Sequence, residues 1–228
     1  GVEKQHPLPK LKKSKHHPKG LVFLYEDRDI IVVDKPAALP SAGRTLEDPN
    51  CMQHALMRYV GRDVWAVHQL DKDTSGVNVF ALRKRAVDMW ARRMRYPSGR
   101  KSYLAIAHGR AEFETRELER PLRRRKTRRP PFHEVHDEGK RAHSSVRVVA
   151  RSEHATAFEV LLRTGRTHQV RLHLADIGHP LVAESMYDPH RASRPTHAIG
   201  RHALHAMSLH VAPPEPQSFE AALPEPIC

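Results

Sequence analysis

Short apolar runs divided by polar turns set the pattern of this chain. Residues 21–25 and 30–33 read as two strands joined by the acidic turn Glu26-Asp27-Arg28-Asp29. Residues 36–50, rich in proline, glycine and small side chains, read as a loop. Helical periodicity covers 51–60 and 84–96, and between those segments 64–67 and 77–82 read as strands. Residues 101–108 predict a strand, 109–143 are loop-rich and basic, and 146–150 with 155–162 predict an antiparallel pair. A short helix follows: Thr167 is a good N-cap, Gly178 sits where a C′ glycine would, and Pro180 stops continuation. Its spacing puts His168, Arg171 and Ala175 on one face and Val170, Leu174 and Ile177 on another. The apolar face is expected against the core and the basic face elsewhere. A last strand is expected over 204–211. Strands outnumber helices and follow one another closely enough for hairpins, an α+β pattern rather than regular strand–helix alternation.

A chain of 228 residues holds one large domain or two small ones and can bury a real core. No apolar run approaches about 18 residues, so no membrane span is expected, and no secretory segment opens the chain. The two cysteines, Cys51 and Cys228, are too few for a disulfide framework and suit a reducing cytoplasm.

Charge changes the picture more. The formal net charge is +13 and it is concentrated: residues 1–20 carry six lysines against one glutamate, and 123–129 carry six basic side chains and no acid. Like charges in a block repel, so a disordered tail over 1–20 and a mobile loop at 123–129 are expected. Each is also the footprint of a polyanion partner, because every neutralised phosphate releases counterions. A solubility tail is the plainer alternative. The 18 histidines invite a metal reading that their spacing does not support. His16-His17 lie in the tail, and His202, His205 and His210 lie near the last strand. There is no His-Glu-x-x-His and no paired Cys-x-x-Cys, so no metal is expected. Pro40-Ser41-Ala42-Gly43-Arg44 lacks the spacing and lysine of a phosphate-cradling loop.

The densest chemistry lies in His68-Gln69-Leu70-Asp71-Lys72-Asp73-Thr74-Ser75-Gly76, a polar turn between two predicted strands. A carboxylate there is positioned by the scaffold yet open to a ligand; alternatively, Asp71 or Asp73 only caps the turn. A second dense stretch is Gly165-Arg166-Thr167-His168-Gln169-Val170-Arg171-Leu172-His173-Leu174. Together they resemble the ribosomal large subunit pseudouridine synthase A (RluA) family, with its H-R-L-D-x-x-T-S-G loop and G-R-T-H-Q-[IVL]-R-x-H helix. The likeness continues in order through Asp34-Lys35-Pro36-Ala37, Lys101-Ser102-Tyr103, Gly139-Lys140-Arg141-Ala142 and Leu204-His205-Ala206, from about residue 21 to residue 212.

The resemblance implies a long, mostly antiparallel mixed β-sheet, with helices and loops framing a central catalytic cleft. It implies one catalytic domain over 21–228 behind the basic tail, with no room for the family's optional S4-type RNA-binding domain. The implied reaction isomerises uridine to pseudouridine in RNA and needs no cofactor. Asp71 matches the catalytic aspartate, Arg171 its arginine partner and Tyr103 the tyrosine that packs on the target base. A bidentate pair between Arg171 and Asp71 would keep the carboxylate charged and oriented. RNA contacts are expected from Gln69, His68, Lys101, Arg166, His168 and Lys35, and from the block Arg123, Arg124, Arg125, Lys126, Arg128 and Arg129. The implied substrates are 23S rRNA, tRNA or both, with no membrane and no obligate protein partner. Three departures stand out: Gln69 replaces the family's usual arginine, Ala38 its usual glycine, and Ala183-Glu184 its usual Gly-Asp, the last two outside the residues assigned to catalysis. A non-catalytic RNA-binding protein or chaperone on the same scaffold, and a histidine-based metallohydrolase, are the alternatives.

Overall fold

The structure, a computed structural model, describes residues 20–195 and 200–224. The lysine-rich tail lies outside the described residues except for Gly20, as does Cys228.

The chain opens with an antiparallel pair, β1 (Val22–Glu26) and β2 (Ile30–Lys35), whose turn is held by Asp27, which accepts from the amides of Asp29 and Ile30. Helix α1 (Met52–Val60) starts at Cys51, whose thiol caps the His54 amide, and stops at left-handed Gly61. β3 (Trp65–Ala66) and β4 (Ser75–Ala81) flank the polar turn, and α2 (Lys84–Arg95) follows. β5 (Arg100–His108), β9 (Ser144–Arg151) and β10 (Ala155–Leu162) form an antiparallel meander with β6 (Thr115–Leu118) at its edge. Helix α3 (Gln169–Asp176) precedes β11 (Leu204–Val211) and β12 (Gln217–Glu220).

Ten of these strands make one sheet in the order β1-β2-β4-β11-β5-β10-β9-β6, with β3 beside β4 and β12 beside β11. A separate hairpin pairs β7 (Leu122–Arg124) with β8 (His133–Val135). The α+β class and the mixed sheet are as expected. The loop-rich stretch 109–143 also contains the three short strands β6, β7 and β8. These short strands are too polar to alternate visibly, and β6 is fixed by its ladder to β9.

Period-2 alternation explains the layers. In β2, Ile30 and Val32 face a cluster with Val77, Val79, Ala86, Trp90 and Met94, which seats α2. Ile31 and Val33 face the opposite cluster with Met52, Leu56, Tyr59 and Phe80, which seats α1. Covered on both sides, β2 and β4 read as continuous apolar runs. A third cluster under α3 joins Tyr103, Ala105, Phe158, Val160, Val170, Leu174 and Leu204.

β4 and β11 are the parallel pair in the main sheet's path, with His205 opposite Ser75 and Ala206 opposite Gly76. Parallel strands start at the same end, so the loops that lead into β4 and β11 meet there. Gly76 makes this possible: its φ is +116°, and a Cβ would overlap the Ala206 carbonyl oxygen.

Two of the departures from the family pattern carry a backbone cost. Ala38 and Ala183 both adopt left-handed conformations, with φ of 63° and 60°. Glycine there would relieve about 1–2 kcal/mol of strain, against about 0.4–1 kcal/mol for its added freedom in the unfolded chain. Ala38→Gly and Ala183→Gly are therefore each expected to raise the melting temperature by about 1–4 °C. Scanning calorimetry checks this, and a lower melting temperature in both would refute the strain.

Candidate active site

Asp71 sits at the floor of a cleft of about 820 Å³, lined from three directions by the 68–74 loop, by 165–171, and by α2 with Lys101 and Tyr103. The loop that carries it is tied down by side chains from distant segments. Ser41 accepts from the Leu70 amide at 2.9 Å and donates to Asn78 Oδ1, while Asn78 Nδ2 donates to the His68 carbonyl. Lys35 Nζ donates to the carbonyls of Pro36, Leu39 and Lys72 at 2.7, 2.6 and 3.0 Å. On the β11 side, His202 Nε2 lies 2.8 Å from Thr74 Oγ1 and His205 Nδ1 lies 2.8 Å from Ser75 Oγ. Arg201 donates to the Asp73 carbonyl and to Ser75 Oγ. Two of the histidines of the metal reading thus clamp the loop, and among the described residues no cluster of three potential ligands could hold a metal ion.

Arg171 comes from α3. The helix begins later than expected: His168, not Thr167, is the residue before it, in a left-handed conformation with φ of 55°. Gln169 ties the turn instead, its Oε1 accepting from Thr164 Oγ1 and the Arg166 amide and its Nε2 donating to Ser144 Oγ. The expected outward basic face is also corrected. Residues 169–174 are all buried, and Arg171 and His173 are 3% and 1% exposed.

A buried guanidinium needs a partner, and the expected bidentate pair with Asp71 is not the one formed. Arg171 donates through Nε and Nη2 to the two oxygens of Glu184, at 2.9 and 2.6 Å. Its third nitrogen, Nη1, reaches Asp71 Oδ2 at 3.5 Å. Burial opposes both charges of the Arg171–Glu184 pair, but their mutual hydrogen bonding outweighs it, holding the guanidinium above its ordinary pKa and the carboxyl below its own. The Glu184 side chain is fully buried while that of Asp71 keeps 24% of its surface. Glu184 therefore anchors the arginine, and Asp71 stays open to a ligand.

The other Asp71 oxygen faces His168, with Nε2 3.7 Å from Oδ1. His168 Nδ1 lies 2.6 Å from the Tyr187 hydroxyl, and Arg171 sits 5.1 Å over the Tyr187 ring. Burial pushes the Tyr187 phenol up to about 12 and pushes the His168 ring down, so both are neutral at pH 7. Burial, reinforced by the Asp71 charge, also raises the Tyr103 phenol, which stays protonated in the cleft.

The expected RNA contacts divide. Gln69 is exposed at the cleft rim, and Arg166 is exposed with its Nε on the Arg141 carbonyl. Lys101 lines the cleft with no ion-pair partner among the described residues. Lys35 is corrected: it is wholly buried, its three donors are taken by carbonyls, and burial lowers it to about 8. His68 lines the cleft but is uncharged, because burial lowers it to about 3 and its Nε2 accepts from the Val79 amide. The arginine block begins in β7 and is partly paired. Arg123 pairs with Glu134 and Glu138 at 2.9 and 3.0 Å, and Arg125 with Glu134 at 3.5 Å. Arg124, Lys126, Arg128 and Arg129 remain exposed, on a hairpin that touches the site where the His133 ring meets His168 at 5.4 Å.

Glu184, Arg201, His202, Ser41, Asn78 and Tyr187 were not singled out as site residues from sequence. For Glu184 a signal existed, its place at the family's usual aspartate. The others are ordinary polar residues until the fold brings them to the loop.

The sequence profile of the RNA pseudouridylate synthase family matches residues 29–176. The chain is 34% identical over 187 residues to the dual-specificity RNA pseudouridine synthase RluA of Vibrio cholerae, covering 82% of this chain and 75% of that one. It is 33% identical over 234 residues to ribosomal large subunit pseudouridine synthase D of Neisseria meningitidis, covering 92% and 60%. The solved structure of human RNA pseudouridylate synthase domain containing 1 superposes with a TM-score of 0.72 at 26% identity, over 91% of this chain and 84% of that one.

Two outcomes test the site's construction. Glu184→Gln leaves Arg171 buried without its charge partner and should destabilise the protein by roughly 3–5 kcal/mol in urea denaturation; a loss under about 1 kcal/mol would show that Asp71 suffices as anchor. Burial lowers His68 to about 3 and His202 to about 4, and lowers His133, His168, His173 and His205 as well. Below about pH 6.5 the unfolded chain takes up protons that the folded one refuses, so stability falls as pH drops. The melting temperature should decline steadily from about pH 6.5 to about pH 4, and a flat profile would contradict the burial of these rings.

Proposed function

Since the chain belongs to the RNA pseudouridylate synthase family, and so is an isomerase that acts on RNA, we propose that Asp71 is its reactive carboxylate and Arg171 and Tyr103 its partners. One observation carries this assignment: Asp71 is the partly open carboxylate beside a guanidinium that Glu184 already fixes.

The isomerisation breaks the N1–C1′ bond, turns the uracil and joins C5 to C1′; C5 loses a proton and N1 gains one, so atoms balance without a cofactor. An ionised carboxylate at the ribose serves as nucleophile at C1′ or as base for the 2′ proton. Arg171 Nη1 approaches Oδ2 at 3.5 Å, leaving Oδ1 facing the cleft and His168. Tyr103, held neutral, offers its ring to the uracil face.

A uridine stacked in a helix cannot reach this floor, so the nucleotide turns out of its strand at a cost of a few kcal/mol. In this reading Gln69, exposed at the rim, hydrogen-bonds the base left behind, without an arginine's charge or stacking plane. Lys101, Arg166 and the four unpaired basic residues of the hairpin supply phosphate contacts. The RNA substrate we propose is 23S rRNA, tRNA or both; the name of the Neisseria relative, a ribosomal large subunit synthase, supports the first. Residues 21–228 act as one catalytic domain in this reading. A reducing cytoplasmic setting fits the free, buried Cys51, and no described helix is long and apolar enough to cross a membrane.

Carbodiimide-based primer extension on unmodified 23S rRNA and bulk tRNA tests the proposal. The protein should create a new stop that Asp71→Asn does not, while Asp71→Asn keeps RNA affinity within about threefold (under about 1 kcal/mol). A stop made by both proteins would remove Asp71 from the chemistry. An RNA-binding protein that makes no stop on either RNA would favour the non-catalytic alternative.

A further inference from the structure

Helix α2 faces two hollows. Ala91, Met94 and Arg95 line the catalytic cleft, and Lys84, Val87 and Asp88, nearer the helix start, line a second hollow of about 360 Å³. Gln69 and Ala42 line both, so the two adjoin along the helix with Gln69 between them. Across from α2 the second hollow is walled by Trp65. That indole is only partly buried, and the described residues give it neither a ring partner nor a hydrogen bond. Lys84, Arg85, Arg92 and Arg95 are exposed along α2 with no ion-pair partner among the described residues.

A slot walled by Ala42, Ala66, Val87 and a partly buried indole that also packs on the cluster under α2, with a basic helix beside it and a shared border with the cleft, has the chemistry of a base-stacking platform. We propose that this hollow is a second nucleobase site, which takes a base unstacked from the RNA strand next to the target uridine. The base lies on Trp65, between Ala42 and Val87. Lys84 meets the phosphate at the slot's mouth. Asp88 repels phosphate but accepts an N–H from the base edge, so the slot holds a base and not backbone. Gln69 then stands between two displaced bases rather than beside one. The inference rests on the pseudouridine synthase reading, because it needs RNA in the cleft.

Binding can be read without turnover. In Asp71→Asn protein, a short stem–loop RNA with uridines in its loop should quench an emission component that Trp65→Phe, which retains only the buried Trp90, lacks. In the active protein, Trp65→Leu should raise KM on unmodified tRNA or 23S rRNA about tenfold with kcat little changed, and Trp65→Phe should restore much of the loss. Lys84→Glu, at an exposed position, should raise KM severalfold even if Trp65→Leu folds poorly. An unquenched Trp65 together with an unchanged KM in Trp65→Leu or Lys84→Glu would overturn the slot. Quenching by RNA with no pseudouridine formed by the active protein would instead overturn the catalytic reading and leave the slot standing.

Discussion

A guanidinium buried between two carboxylates is the constraint around which the site is built. Arg171 is 3% exposed, and an unpaired charge at that depth would cost several kcal/mol. Glu184 meets it with two short hydrogen bonds, and Asp71 only approaches at 3.5 Å. The tighter contact fixes the arginine, and the looser one leaves Asp71 partly open. Were Asp71 the anchor, its oxygens would be spent on Arg171 rather than open to a ribose. The left-handed backbone at Ala183 directly precedes Glu184, so the sequence accepts local strain beside the carboxylate that the arginine requires.

The second constraint acts on the loop that carries Asp71. Asp71 lies on a turn, yet that turn is tied to β2 through Lys35, to the 36–50 loop through Ser41, and to the start of β11 through Arg201, His202 and His205. Most of these groups are neutral or held by backbone carbonyls, which avoids burying further unpaired charge. Lys35 shows the division of labour: a lysine that reads as an RNA contact is a buried tie between backbone segments. Free positive charge lies at the rims instead, on the β7–β8 hairpin and along α2. In the proposed reading, basic side chains beside the cleft meet the RNA while Asp71 stays open to react.

The sequence by itself determined the class of fold and, through ordered motifs, a family that acts on RNA. Short apolar runs, continuous or alternating, gave the strands β2, β4, β5, β10 and β11, because burial on one or both faces writes itself into the order of residues. Asp71, Arg171 and Tyr103 were legible through ordered motifs, and the structure brings all three to one cleft. Only the tertiary structure decided which carboxylate holds Arg171, that Lys35 is buried, that α3 is buried on nearly every side, and that half-paired arginines form a hairpin. Each of these depends on partners far along the chain, such as Arg201 to Asp73 or Gln169 to Ser144. Local periodicity carries no record of such pairings: hydrogen bonds and ion pairs are settled by distances of a few ångströms, which the chain acquires only once the parallel β4–β11 pair has brought its loops together.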